Sequence, residues 1–501
     1  MTEATASYRR ILKSSSIIGG ASVFTILIGL VRTKVLAVLL GPTGVGLVSL
    51  YSAVISTAAV LSSMGLGTVG TRQVAEAAGK QDDRALAVTR RAMFGGMALL
   101  AGMGALAVWS LREILALHIL GDVAHANSIS WLALGVALSV AATSQGALLQ
   151  GMRRIGDMAQ LSIFSTVLTT VAGVAMLWQW GKAALVAYIL LGPLISCLVG
   201  YLYVSRVPKQ HAADISLDEI IYQWRAFFRL GIAFMGAGVA ASLIQFWIRL
   251  EVSKTLGTDA LGYFQAAWTI SLQYVGLVLG AMGADYYPRL TAVIHDRAAA
   301  ARLVNEQTEI ALLLSAPILI GMMALSPWII SLLYSTAFLP AANVLRWQIL
   351  GDVLKVASWP LGFLILAAGQ GKTYFWTETS SLFVMGLLIA GFIPIVGLEI
   401  TGIAFAACYA FYLPLVFFLA RRRIGFRWSN PAVALLAATV AACIGVASLT
   451  AISRWGELFG CLLAIAFGLY ALRRLWKMSD LAGSENRVVM MLRQYASKIG
   501  L

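Results

Sequence analysis

The chain has 501 residues, of which 60% are hydrophobic and only 12% charged, with a formal net charge of +15. A soluble domain carries about 25% charged residues, so a water-soluble globule is excluded, and the ~10-residue alternating segments of a membrane β-barrel are absent. Apolar runs of ~20 residues recur along the whole length, each long enough to cross a ~30 Å hydrocarbon core as a helix that satisfies its own backbone.

Fourteen spans are predicted. Their centres lie near Phe24, Val54, Leu100, Val136, Thr169, Leu191, Ala240, Gln273, Ala316, Asp352, Met385, Cys408, Val440 and Ala466. The apolar stretch 15–30 is followed by Val31-Arg32-Thr33-Lys34 rather than a small-residue cleavage site, so it reads as a retained span. The predicted fold class is therefore an all-α integral membrane protein of about 14 transmembrane helices, in two six-helix lobes plus two C-terminal helices. Residues 1–205 form the N-lobe with spans 1–6. Residues 206–228 form a cytoplasmic linker, with an amphipathic helix expected at 217–228. Residues 229–420 form the C-lobe with spans 7–12, residues 421–478 carry spans 13 and 14, and 479–501 form a basic tail.

With the N-terminus placed inside, 28 of the 37 Lys and Arg fall on inside segments. Arg9, Arg10 and Lys13 open that set, Arg229 sits at the end of the linker, and Arg421-Arg422-Arg423 with Arg487, Arg493 and Lys498 close it. This is the positive-inside asymmetry, and it predicts cytoplasmic termini at both ends. The charges are dispersed over short loops, which argues against nucleic acid as a partner and for the anionic lipids of the membrane. Cys197, Cys408, Cys443 and Cys461 fall in apolar spans without metal spacing and read as small core residues. Pro193, Pro317, Pro360 and Pro414 lie inside spans.

Two stretches read like copies of each other. Arg32, Gly41, Gly46, Met64-Gly65 and Arg72 recur as Arg249, Gly257, Gly262, Met282-Gly283 and Arg289, at offsets of 216 to 218 residues. Each copy places an arginine inside an apolar segment, where a charge costs ~2.5–3.5 kcal/mol even on the lenient insertion scale. A duplicated membrane lobe with matched buried cations is the layout of a transporter with its site between the halves.

Arg32, Arg249, Lys34, Lys254, Arg346 and Lys355 are the candidates for a cavity that attracts a phosphate or pyrophosphate, because arginine offers bidentate hydrogen bonds to such oxygens. The competing reading is that these side chains snorkel to the interface. Asp285, Asp352 and Glu378 are the carboxylates expected to be most buried, and are candidates for ion coupling. Asp352 and Lys355 share a helical face, so an ion pair is expected there. Trp247, Gln245, Trp268, Gln273 and Trp347 would suit a sugar, which takes aromatic faces and amide hydrogen bonds; helix–helix glue and interfacial belts explain the same residues. No catalytic or metal signature emerges. His118, His125, His211 and His295 form no cluster, no phosphate-cradling GxxxxGK[ST] loop is present, and no cofactor is expected.

The stretch from Lys34 through Gly41-Pro42-Thr43-Gly44-Val45-Gly46 resembles the first-loop motif of bacterial O-antigen flippases. Ser63-Met64-Gly65-Leu66-Gly67 and Gln73-Val74-Ala75 are similar to their second span and first cytoplasmic loop. These are the Wzx-type members of the polysaccharide transporter family, in the MOP superfamily with multidrug (MATE) antiporters and lipid II flippases. The resemblance implies a V-shaped pair of six-helix lobes around a cationic cavity, in the bacterial inner membrane. It implies flipping of an undecaprenyl-pyrophosphate-linked glycan for lipopolysaccharide biosynthesis, by alternating access driven by H+ or Na+. It also implies the company of a glycan polymerase and a chain-length regulator. Within the same superfamily the alternatives are a drug/cation antiporter, which would favour an acidic cavity, and a lipid II flippase. A membrane glycosyltransferase or polymerase would need a catalytic carboxylate or a sizeable outside loop.

Overall fold

The computed structural model describes residues 3–208, 215–453 and 455–481. The described residues form fourteen α-helices joined by turns and short 3-10 segments, and contain no strand. These are α1 (Glu3–Ser63), α2 (Leu66–Gly79), α3 (Asp83–Ser110), α4 (Arg112–Leu120), α5 (Ala126–Gly151), α6 (Ile155–Trp180) and α7 (Leu185–Ser205). There follow α8 (Leu217–Val293), α9 (Arg297–Leu333), α10 (Ala341–Ala367), α11 (Gly371–Val396), α12 (Ile400–Ile424), α13 (Asn430–Ile452) and α14 (Trp455–Leu481). All fourteen predicted centres fall on helices: α1 and α8 hold two each, and α2 and α4 hold none. Nine stretches among the described residues are long and apolar enough to cross a membrane, three of them long enough for two passes. The chain is a multi-pass membrane protein.

Two helices exceed any single crossing, α1 with 61 residues and α8 with 77. Each bends at one glycine, Gly41 (φ 66°, ψ −171°) and Gly257 (φ 87°, ψ 172°). That backbone region is open essentially to glycine alone. Pro42 reinforces the first bend, since it has no N–H to continue the helix; at the second, Gly257 is followed by Thr258 and acts without a proline. The two bends lie 216 residues apart, so the repeat in sequence is a repeat in backbone. It stops at the far end. Met64 (φ 44°) and Gly65 (φ 71°) separate α1 from α2, whereas α8 continues as helix through Met282-Gly283.

The chain folds into two compact units. The first comprises Met1–Thr269, Ile330–Val344 and Glu378–Ala404. Its core draws Leu66 and Val74 from α2, Met93 and Met97 from α3, Val140 and Leu148 from α5, Tyr203 from α7 and Phe227 from α8. The segment 217–228 is helical as expected, but it forms the first turns of α8 and is continuous with the span that follows. It is tied down by Trp224, whose Nε1–H donates to the Ala92 carbonyl at 2.7 Å beside Gly95 and Gly96. Arg84 pairs with Glu219 at 2.8 Å. Trp109, Trp131, Trp178 and Trp180 are exposed near the ends of α3, α5 and α6 that lie opposite the basic loops. Exposed tryptophans at helix ends are the interfacial belt of a membrane protein.

The second unit comprises Ile270–Ile329, Leu345–Thr377 and Phe405–Leu501. One core surrounds Tyr286, Leu361, Tyr412, Val416 and Phe426, where the Tyr286 hydroxyl donates to the Pro360 carbonyl at 3.0 Å. A second joins Val275 of α8, Ala311 and Leu312 of α9, Val356 of α10, Leu435 of α13 and Ala471 of α14.

Pro193, Pro317, Pro360 and Pro414 all sit inside helices that continue through them. None of the four cysteines is in a disulfide. Lys209, His211 and Asp214, and the tail with Arg487, Arg493 and Lys498, lie outside the described residues. So do the side chains of Arg9, Arg10, Lys13 and Arg229.

Candidate substrate and ion sites

Just past the two bends, α1 and α8 cross with their backbones touching. A Cβ on Gly46 would stand 2.1 Å from the Thr258 carbonyl oxygen, and one on Gly262 would stand 2.1 Å from that of Pro42. Thr258 is the repeat counterpart of Pro42, and Gly262 that of Gly46, so one contact is made twice in opposite senses. That reciprocity is the mark of a two-fold axis. Two side-chain pairs lie on it. Thr43 Oγ1 donates to Asp259 Oδ1, and Ser49 Oγ donates to Gln265 Oε1 at 2.7 Å, each pair separated by 216 residues. Residues 43, 46 and 49 follow one helix face at i, i+3 spacing. Gly262→Ala must push the helices apart, and overpacking costs about 1–3 kcal/mol. A lowered thermal unfolding midpoint in detergent is the expected result, and an unchanged midpoint would show that the crossing tolerates separation.

Arg249 lies on α8 eight residues before Gly257. It is half-buried; its Nη1 donates to the Gln245 carbonyl at 3.1 Å and its Nε to Gln265 Oε1 at 3.4 Å. No carboxylate pairs with it among the described residues. A guanidinium has five N–H donors in a fixed fork, so the Nη2 donors are left for another acceptor. Gln265 in turn donates through Nε2 to Thr269 Oγ1 at 2.9 Å.

Arg32, nine residues before Gly41, is also half-buried, within electrostatic reach of Tyr188. The counterpart of Gln265 in its half is Ser49, a much shorter side chain, and among the described residues no hydrogen bond from Arg32 matches that of Arg249. Lys34 is already engaged. Its ammonium donates to the Ser331 carbonyl at 2.9 Å, in the last turn of α9, where a cation also meets the negative helix end. Lys254 is exposed. Trp247 lies over Gly386 and 6.4 Å from Phe383. Trp268 is only 6% exposed and packs on Phe264 at 5.5 Å, so the face expected for a sugar is covered by protein. Glu378 is half-buried, and its carbonyl accepts from the Ser381 hydroxyl.

The second unit holds Arg346, Lys355, Asp352, Asp285, Gln273 and Trp347. Arg346 Nε donates to Ser326 Oγ at 2.9 Å. Gln273 is half-buried and Trp347 is 38% exposed. Two expectations are corrected. Asp285 is not buried: its side chain is 73% exposed and pairs with Arg289 one turn on, at 3.0 Å, where α8 approaches the basic loop. Asp352 and Lys355 form no ion pair. The Lys355 ammonium instead sits over the rings of Phe405 and Tyr409, at 5.7 and 5.6 Å, where ring faces offset part of its desolvation.

Asp352 is fully buried. Ser271 Oγ donates to its Oδ2 at 2.7 Å, and its Oδ1 has no partner among the described residues. Further orphaned atoms occur on the same group of helices. Gln348, one turn before Asp352 on α10, is fully buried with both amide atoms unpartnered, as are Ser315 Oγ of α9 and the Tyr274 hydroxyl of α8. Ser271 and Tyr274 precede Val275, Ser315 follows Ala311, and Asp352 precedes Val356. Each lies within about a turn, along its own helix, of a residue of the α8–α9–α10 core. Buried polar atoms are satisfied in the great majority of cases, so this cluster is unusual.

The sequence reading missed Gln348, Ser315, Ser271 and the axis pairs. The axis pairs had a signal in the 216-residue offset they share with Gly46 and Gly262. Gln348 had one in its i, i+4 spacing from Asp352. Ser271 had none, because only packing brings it to Asp352. Among the described residues, no group of three or more His, Cys, Asp and Glu gathers that could hold a metal.

Kinked, duplicated helices carrying cations within spans, and a buried carboxylate with one orphaned oxygen, fit the class of membrane transporters. Solved structures agree on the fold. The lipid II flippase MurJ in an inward closed conformation matches with a TM-score of 0.70 at 14% identity, covering 92% of this chain and 98% of that one. A multidrug resistance MATE transporter of the MOP superfamily, inward-facing, matches with a TM-score of 0.67 at 15% identity, over 80% and 94%. The family described as polysaccharide biosynthesis protein matches residues 35–343, and the chain belongs to that family. Relatives include the lipid III flippase of Escherichia coli (strain K12), 24% identical over 405 residues, 79% of this chain and 95% of that protein. The teichuronic acid biosynthesis protein TuaB of Bacillus subtilis (strain 168) is 22% identical over 240 residues, 48% of this chain and 49% of that one.

Proposed function

We propose that this protein flips an undecaprenyl-pyrophosphate-linked oligosaccharide of the O-antigen type across the bacterial inner membrane, from the cytoplasmic leaflet to the periplasmic one. The observation that carries the proposal is Arg249: a cation within a span, without a carboxylate partner among the described residues, with Nε held by Gln265, Nη1 by Gln245 and Nη2 unengaged. Such a group suits a pyrophosphate, whose oxygens accept two parallel N–H bonds. Arg32 is the second cation of the site. The relatives named for lipid III flipping and for teichuronic acid biosynthesis support a polysaccharide precursor as cargo. The basic loops mark the cytoplasmic side, so the bends at Gly41 and Gly257 face the periplasm.

In this reading Asp352 couples transport to a cation gradient. An ionised carboxylate buried beside orphaned dipoles is expensive. A proton on Oδ1, or a small cation held at Asp352, removes that cost and gives the site two states. Translocation in proteoliposomes tests the function, scored by protection of a labelled lipid-linked oligosaccharide from an added membrane-impermeant glycosidase. Protein-dependent crossing is expected. No crossing with efflux of a cationic dye would establish the antiporter reading instead, and growth of the sugar chain would establish a polymerase.

A further inference from the structure

Gln265 stands where two otherwise separate features meet. Its Oε1 accepts from Ser49 Oγ across the two-fold crossing and from Arg249 Nε in the candidate anion site. Its Nε2 is fixed by Thr269. We propose that Gln265 is a positioning residue that transmits occupancy of Arg249 to the Gly46–Gly262 crossing. The inference rests on the flippase reading above.

The chemistry follows from one shared acceptor. With the site empty, the guanidinium donates to Oε1 and holds the amide so that the same oxygen faces Ser49. Hydrogen bonds with a charged member are roughly twice as strong as neutral ones. A pyrophosphate bearing full negative charge is a better acceptor than an amide oxygen, so it draws the guanidinium away. Gln265 then keeps only neutral partners, and its side chain regains rotamer freedom at the crossing. Anion binding from the cytoplasmic side thus loosens the periplasmic contact through which the cargo must leave, and release of the anion restores it. The link exists in one half only. The counterpart of Gln265 is Ser49, and Arg32 makes no matching bond to it.

The test uses the full chain in proteoliposomes, with Cys197, Cys408, Cys443 and Cys461 replaced by serine and Thr43→Cys as the reporter. The measured quantity is the rate of modification by a membrane-impermeant maleimide added on the side of the bends, with and without undecaprenyl pyrophosphate as probe. The probe is expected to raise the rate about threefold to tenfold, the equilibrium worth of one hydrogen bond. In Gln265→Ala the rate should be high without probe and unresponsive to it, although the protein still binds the probe. In Gln265→Glu the new carboxylate pairs with Arg249, and the rate should stay low in both conditions. Asp259→Cys reports on the same contact from the other helix, should Thr43→Cys fold poorly. A full probe-dependent rise in Gln265→Ala would overturn the inference. So would a parent protein that binds the probe without any change in labelling, which leaves the flippase reading standing. A parent that does not bind the probe overturns both.

Discussion

Arg249→Ala is expected to slow translocation of the lipid-linked oligosaccharide by about 10- to 100-fold, the range set by hydrogen bonds to charged groups at ~1.5–3 kcal/mol. The cation is held by two weak contacts, at 3.1 and 3.4 Å, neither of which neutralises it. Its removal therefore relieves a costly charge in the membrane and should leave the fold intact. Arg249→Lys should recover only part of the rate, because an ammonium cannot present two parallel N–H groups to a pyrophosphate. Arg32→Ala combined with Arg249→Ala should leave no measurable transport. Arg112→Ala is the control. Its guanidinium pairs with exposed Glu113 and lies over Trp109, and a surface pair of that kind is worth ~0–1 kcal/mol. Initial rates in proteoliposomes decide the matter. Transport at more than half the wild-type rate in the double variant would remove these arginines from the site.

Asp352→Asn is expected to separate coupling from movement. The amide keeps the shape of the side chain and can still accept from Ser271, but it binds no proton and attracts no cation. Transport driven by an imposed ion gradient should be lost or sharply reduced, because ionisable residues within spans mark ion and proton relays. Exchange of labelled for unlabelled cargo at equal concentration on both sides needs no gradient, and should continue. Loss of both activities together with a lowered unfolding midpoint would make Asp352 a structural residue. Retention of gradient-driven accumulation would assign coupling elsewhere, with Glu378 the next candidate. Gln348→Leu extends the test, since it removes both orphaned amide atoms at similar volume. It should stabilise the protein while weakening coupling, because replacing unsatisfied polar atoms by apolar ones is favourable in itself.

The spans were legible because apolar length is a local property, and every predicted centre falls on a helix. The repeat was legible as well. Gly41 and Gly257 could be matched by offset, and only glycine adopts the conformation found at both. Side-chain partners were not legible. Asp352 and Lys355 share a helical face, yet the lysine turns to Phe405 and Tyr409 on α12 and the carboxylate to Ser271 on α8. Spacing along one helix cannot register neighbours supplied by others. Asp285 was misread for a related reason. It lies within an apolar run, but α8 is long enough that the run continues to the basic-loop end, where Arg289 meets it. Trp268 carries the right chemistry for a sugar, but its burial depends on how α8 folds back after its bend.

The axis pairs carry a consequence for symmetry. In two identical subunits related by a dyad, a residue on the axis meets its own copy, so Thr43 would face threonine and Ser49 would face serine. Here Thr43 faces Asp259 and Ser49 faces Gln265, pairings that no homodimer can make. In one chain each axis position is two independent residues. Backbone contact leaves Gly46 and Gly262 no alternative, while the polar neighbours differ between the halves. A glutamine that faces Ser49 and touches Arg249 is therefore open only to a chain that carries both halves. A chain assembled from two copies of either half would keep the crossing and lose that contact's asymmetry.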